Sequence, residues 1–139
     1  MFRRIISLLL VVVIGAMSMT NTAFAAAPPE VATPNWQYTS SCSSAFTISN
    51  KTAICTSDCV GYNGTTTRIF IMQVLEKKNS AGVWKNYEVW STTSFTFFAT
   101  LTSTKSNLES GTYRLRTVYY VYSGSKYETI TKYSATKTV

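Results

Sequence analysis

The sequence predicts an all-β protein: an immunoglobulin/fibronectin-like antiparallel β-sandwich of about seven strands, preceded by a cleaved signal peptide. Three observations carry this expectation. From Trp36 onward the chain runs in short stretches that alternate apolar residues with Ser and Thr, and no helical segment interrupts them. Turn signals built on Gly and Asn punctuate these stretches at short, regular spacing. Finally, Leu108-Glu-Ser-Gly111-Thr-Tyr113 sets a tyrosine two residues after a glycine at the mouth of a long strand. That is the local pattern of a tyrosine corner, in which the phenol bonds back to the loop it has just left.

The elements follow in order. Arg3 and Arg4, the apolar run 5–17 and Ala23-Phe24-Ala25 have the charge, length and small residues of a signal peptide over 1–25. The apolar run is shorter than the ~20 residues a membrane span needs, so no stable membrane insertion is expected after cleavage. Residues 26–34 form a flexible lead kept extended by Pro28, Pro29 and Pro34, and 35–139 form the sandwich domain. Within it a first strand over 36–48, interrupted at Thr39-Ser40-Ser41, turns at Asn50-Lys51 into a second over 52–60. Gly61-Tyr62-Asn63-Gly64 is a loop, and 66–77 is apolar on both faces, as a central strand is. The chain turns at 79–82 and returns over 83–90, where Trp84 and Trp90 share a face opposite Tyr87 unless a bulge intervenes. Phe95, Phe97, Ala99 and Leu101 then alternate with threonines in a half-buried strand. After a connection over 104–111, the organising strand carries Tyr113, Leu115, Tyr119 and Val121 on one face. Its other face carries Arg114, Arg116, Val118, Tyr120 and Tyr122, and 126–138 closes the fold after the Ser123-Gly124-Ser125 turn.

A two-residue turn at Gly124-Ser125 opposes residues whose numbers sum to 249. Tyr122 then faces Tyr127, Tyr120 faces Thr129 and Arg116 faces Tyr133. These side chains make an outward face of Arg116, Tyr120, Tyr122, Tyr127 and Tyr133, extended by Phe70 and Met72. Such a face stacks on sugar rings or holds another protein. It is also what any solvated strand rich in Tyr and Thr looks like, because those residues pack well across a pleat.

The same reasoning applies to the cysteines. Immunoglobulin domains place their second bridging Cys two residues after the corner tyrosine, where this chain has Leu115. With a turn at Asn50-Lys51, opposed residues sum to 101, so Phe46 faces Cys55 and Cys42 faces Cys59. Opposed antiparallel residues approach the ~5.5 Å Cα separation that suits a disulfide. The sequence thus predicts a Cys42–Cys59 bridge with Cys55 a buried thiol on Phe46. The other reading is three reduced cysteines acting as small apolar residues.

Composition bounds the function. The chain has no His, and Asp58 is its one Asp, which excludes His-based triads, His-containing zinc sites and an acidic calcium loop. Five scattered glutamates suggest no glycosidase pair. No enzyme activity, cofactor or metal is therefore expected. After cleavage, 11 Lys/Arg against six acids give +5, a balance that favours a polyanionic surface such as the Gram-positive envelope and equally favours solubility. Nucleic-acid binding is disfavoured by export and by the lack of a dense Lys/Arg run.

The motifs Trp36-x-Tyr38-Thr39, Gly61-Tyr62-x-Gly64-Thr65-Thr66, Gly82-x-Trp84, Gly111-x-Tyr113-Arg114 and Lys126-Tyr127-Glu128 span nearly the whole mature chain. Together they resemble the small secreted proteins of clostridia and related Gram-positive bacteria that are grouped as a domain of unknown function. The resemblance implies export and a lone β-rich domain, and no known activity or site. The expectation is a secreted, non-catalytic interaction module at the cell surface, partnered by an envelope polymer or another protein. A small bacteriocin-like antibacterial protein is the alternative, set back by the absence of an amphipathic cationic helix.

Overall fold

The computed structural model describes residues 35–139; the expected signal peptide over 1–25 and the expected lead over 26–34 lie outside the described residues. Among the described residues eight strands form: β1 (Thr39–Ser49), β2 (Thr52–Gly61), β3 (Arg68–Lys78), β4 (Trp84–Ser94), β5 (Phe98–Lys105), β6 (Thr112–Ser123), β7 (Lys126–Tyr133) and β8 (Lys137–Thr138). They build two antiparallel sheets, one ordered β1-β2-β5 and the other β4-β3-β6-β7, with β8 also on β6. The fold is thus a β-sandwich. Its fourth strand pairs with β3 and not with β5, as the extra edge strand of variable-type immunoglobulin domains does.

Both predicted hairpin registers are present. Cys42 opposes Cys59 and Phe46 opposes Cys55 across β1–β2. Tyr122 opposes Tyr127 and Arg116 opposes Tyr133 across β6–β7. The first turn is closed by Asn50 and Lys51 with φ of 50° and 58°, the two left-handed residues of a type I′ turn, which matches the twist of the strands it joins. Tyr113 is fully buried, and its Oη donates to the Glu109 carbonyl at 2.7 Å, so the tyrosine corner forms. Burial, with Tyr87 alongside, pushes its phenol up to about 12, and it remains a donor at neutral pH.

Four local outcomes differ from the sequence expectation, each for a physical reason. The final strand breaks at Ser134, whose hydroxyl accepts the Leu115 N–H at 2.8 Å where a backbone carbonyl would otherwise sit; β8 then resumes one residue out of register. In β4 the pairing slips at Tyr87, between Leu75/Glu88 and Glu76/Asn86, so this bulge turns Trp84 to the face opposite Trp90. The return strand runs on to Ser94, and Phe95 and Phe97 fall in the corner before β5. Phe95 is 79% exposed, so the alternation read through Phe95 and Phe97 belongs to β5 only from Ala99 onward.

The core is divided. One cluster gathers Phe46, Ala53, Cys55, Leu75, Leu108, Tyr113 and Leu115, and the other Cys59, Ile69, Ile71, Ala99, Tyr119, Val121 and Ile130. Between the sheets lies a polar waist. Gln73 Nε2 donates to Ser57 Oγ and to the Leu101 carbonyl, both at 2.9 Å, and Thr117 Oγ1 bonds Ser57 Oγ at 2.9 Å and Ser44 Oγ at 2.7 Å. Buried polar atoms need such partners, so the waist holds β3 and β6 in one position against β1, β2 and β5. The Glu128 carboxylate clasps the start of β1, accepting the backbone N–H of Gln37 and Tyr38 and the Thr39 hydroxyl.

Candidate functional site

The outer face of the five-stranded sheet is built row by row from the register of β3, β6 and β7. Arg68, Tyr122 and Tyr127 form one row, then Phe70, Tyr120 and Thr129, then Met72, Val118 and Thr131, then Val74, Arg116 and Tyr133. The five predicted face residues Arg116, Tyr120, Tyr122, Tyr127 and Tyr133 therefore come together on one surface with Phe70 and Met72. The aromatic rings touch in a chain: Phe70–Tyr120 at 5.9 Å, Tyr120–Tyr127 at 6.0 Å and Tyr122–Tyr127 at 5.2 Å between centroids. Their planes are tilted by 39° to 53°, so the surface is ribbed and not flat. A shallow depression of ≈ 400 Å³ lies among Phe70, Met72, Tyr120 and Tyr122. Arg68 stacks its guanidinium 3.8 Å above the Tyr122 ring. The sequence alone does not single out this cation, because its place beside Tyr122 depends on the pairing of two residues far apart in the chain, Arg68 on β3 and Tyr122 on β6.

Arg116 is held in an ion pair at the border of this face. Its Nε donates to Glu76 Oε1 at 2.7 Å, while Arg114 Nε donates to Oε2 at 2.6 Å. Burial pushes the Glu76 carboxyl up, but hydrogen bonds from Arg116 and Arg114 and their charge outweigh it, and the carboxyl is held below its usual range. Arg114 is further fixed between Trp84 at 4.4 Å and Tyr133 at 4.6 Å. The Arg–Glu–Arg group is a rigid border to the aromatic surface, and the cation next to the depression is Arg68.

Cys42 and Cys59 bring their sulfur atoms to 2.7 Å, and in this structure they are two thiols and not a disulfide. The hydrogen bond to Cys59, then burial, push the Cys42 thiol strongly up, and burial alone pushes Cys55 up to about 11. A thiol held protonated is a poor nucleophile, so neither has the environment of a catalytic cysteine. Cys55 packs with Phe46 in the first core cluster, as expected. No three His, Cys, Asp or Glu side chains converge among the described residues. No protein-family model matches the chain, and no curated protein matches it.

Proposed function

We propose that the protein is an exported, non-catalytic binding module that holds a saccharide chain of the cell envelope on the outer face of β4-β3-β6-β7. The observation that supports this most is the depression among Phe70, Met72, Tyr120 and Tyr122 with Arg68 at its edge. Sugar rings stack their C–H faces on aromatic rings, and phenol and guanidinium groups satisfy the hydroxyls around them. Surface aromatics on a strand tend to be scattered; here the chain of ring contacts is continuous. The cross-strand thiols fit an oxidising compartment. Exchange with a disulfide oxidant converts the two thiols to a Cys42–Cys59 bond while the oxidant is reduced to two thiols. The resemblance to small secreted proteins points the same way.

Cosedimentation with insoluble envelope material tests the reading. Tyr120→Ala/Tyr127→Ala removes two ring platforms; at about 0.5–1.5 kcal/mol each this weakens binding by about five- to 150-fold. Undiminished binding by the double variant, or none by the parent protein, overturns the assignment; release by protease but not by glycan hydrolase points to a protein partner instead. Non-reducing peptide mapping of protein from culture medium is the test of the bridge: an unlinked Cys42 peptide overturns it.

A further inference from the structure

Six of the eight lysines in the chain gather at one end of the sandwich, although they are dispersed from position 51 to position 137 in sequence. Lys51 lies in the β1–β2 turn, and its carbonyl accepts the Leu108 N–H at 2.9 Å, which ties that turn to the β5–β6 connection. Lys105 closes β5 opposite Ala53. Lys77 opposes Lys85 across β3–β4 and Tyr113 across β3–β6, and Lys137 reaches Tyr113 from the other side. Lys78 follows in the same hairpin. Two carboxylates answer these charges: Glu109 on Lys77 at 2.8 Å and Glu88 on Lys105 at 3.1 Å. Lys51, Lys78, Lys85 and Lys137 have no carboxylate within ion-pair distance among the described residues.

This end is more than a solvated charged surface. Lys77 and Lys85 face each other directly across the strand pair, and Glu109 answers Lys77 while Lys85 has no carboxylate of its own among the described residues. The ammonium groups of Lys77 and Lys105 stand 5.9 Å and 6.0 Å from the one Tyr87 ring. Beside them is a cleft of ≈ 390 Å³ whose lining includes Lys77, Lys78 and Lys85 together with Ser80, Asn86 and Ser110. Lysines supply point charges to an anion, and the hydroxyls and the amide supply neutral donors and acceptors to the polar groups on either side of it.

We propose that this end binds a linear polymer of phosphodiester-linked polyols, one repeat entering the cleft and neighbouring phosphates lying on the unpaired lysines. The proposal stands apart from the saccharide-binding reading, since the aromatic depression lies elsewhere on the outer sheet face. A linear polymer is favoured over a bilayer because, among the described residues, Val83 is the one exposed large apolar side chain in the loops of this end.

The probe is poly(glycerol phosphate), its affinity for the protein measured at two salt concentrations. Lys78→Ala/Lys85→Ala/Lys137→Ala should weaken binding at least tenfold and flatten the salt dependence by roughly 0.7–0.9 in log–log slope for each phosphate no longer neutralised. Lys126→Ala/Lys132→Ala, which removes the two lysines outside this cluster, should change affinity less than twofold. The set Lys78→Arg/Lys85→Arg/Lys137→Arg should restore it, and Tyr120→Ala/Tyr127→Ala should leave it intact. All three lysines of the cluster variant are exposed, and its urea midpoint verifies the fold. Equal loss per charge at both lysine sets means attraction by net charge alone and overturns the site. So does absence of binding by the parent protein, or tighter binding to anionic vesicles or to DNA at matched charge.

Discussion

Glu76→Gln is the substitution whose cost the structure defines most closely. The carboxylate is almost covered, with 7% of its side chain exposed, and it accepts from Arg116 at 2.7 Å and Arg114 at 2.6 Å. Glutamine keeps the shape and removes the charge. Its oxygen can still serve one guanidinium, but its N–H groups then point at the other, a donor against a donor. Breaking a fully buried pair costs about 3–5 kcal/mol. Here the arginine side chains are 25% and 23% exposed, so water recovers part of that charge, and about 2–3 kcal/mol is expected. Urea unfolding at pH 7 reads it directly as a lower midpoint. The pH dependence is a second reading. Because the folded carboxyl is held below its ordinary value, its contribution is complete above the unfolded carboxylate range near ~4.3. It disappears as pH falls through the lowered folded value. The gap between the parent protein and the variant should therefore be level from pH 6 to 8 and close in acid. A variant as stable as the parent at pH 7, or a gap that persists unchanged into strong acid, refutes the ion-pair reasoning.

The other predictions concern backbone and packing. Tyr113→Phe removes the hydroxyl bonded to the Glu109 carbonyl and should cost about 0.5–1.5 kcal/mol, read from the urea midpoint. Gly61→Ala would put a Cβ 2.6 Å from the Cβ of Thr66, which itself bonds the Tyr62 N–H and the Tyr38 carbonyl; overpacking there should cost about 1–3 kcal/mol in the same assay. Lys51→Gly relieves a side chain held at φ 58° and should raise the thermal midpoint, corresponding to about 0.5–1 kcal/mol.

Much of the fold is legible in the sequence because it is local. Asn50-Lys51 and Gly124-Ser125 are two-residue turns, and with a side-chain period of two a turn position sets every opposed pair in its hairpin. Hence the turns alone match Cys42 to Cys59 and Tyr122 to Tyr127. The corner at Tyr113 spans four residues and is legible for the same reason. The aromatic face follows from one hairpin, yet the cation stacked on it, Arg68, does not, because that residue arrives through the β3–β6 pairing.

What escapes the sequence depends on meetings between residues far apart or on competition between nearly equal local choices. The bulge at Tyr87 turns Trp84 under Arg114, and nothing within β4 selects it over an unbroken strand. Gln73 reads as a polar interruption in an apolar run until Ser57 and Leu101 are set across from it. Phe95 resembles a core residue because alternation alone cannot tell an inward face from a corner. The lysines are the clearest case. Apart from the adjacent Lys77 and Lys78 they are single charges spread along the chain, and closing three different connections at the same end of the sandwich is what makes them one surface. Alternation, turn chemistry and the corner tyrosine decide strands and hairpins from within a dozen residues, whereas sheet pairing and the packing of sheet on sheet decide which side chains meet, since those energies exist only once distant segments touch.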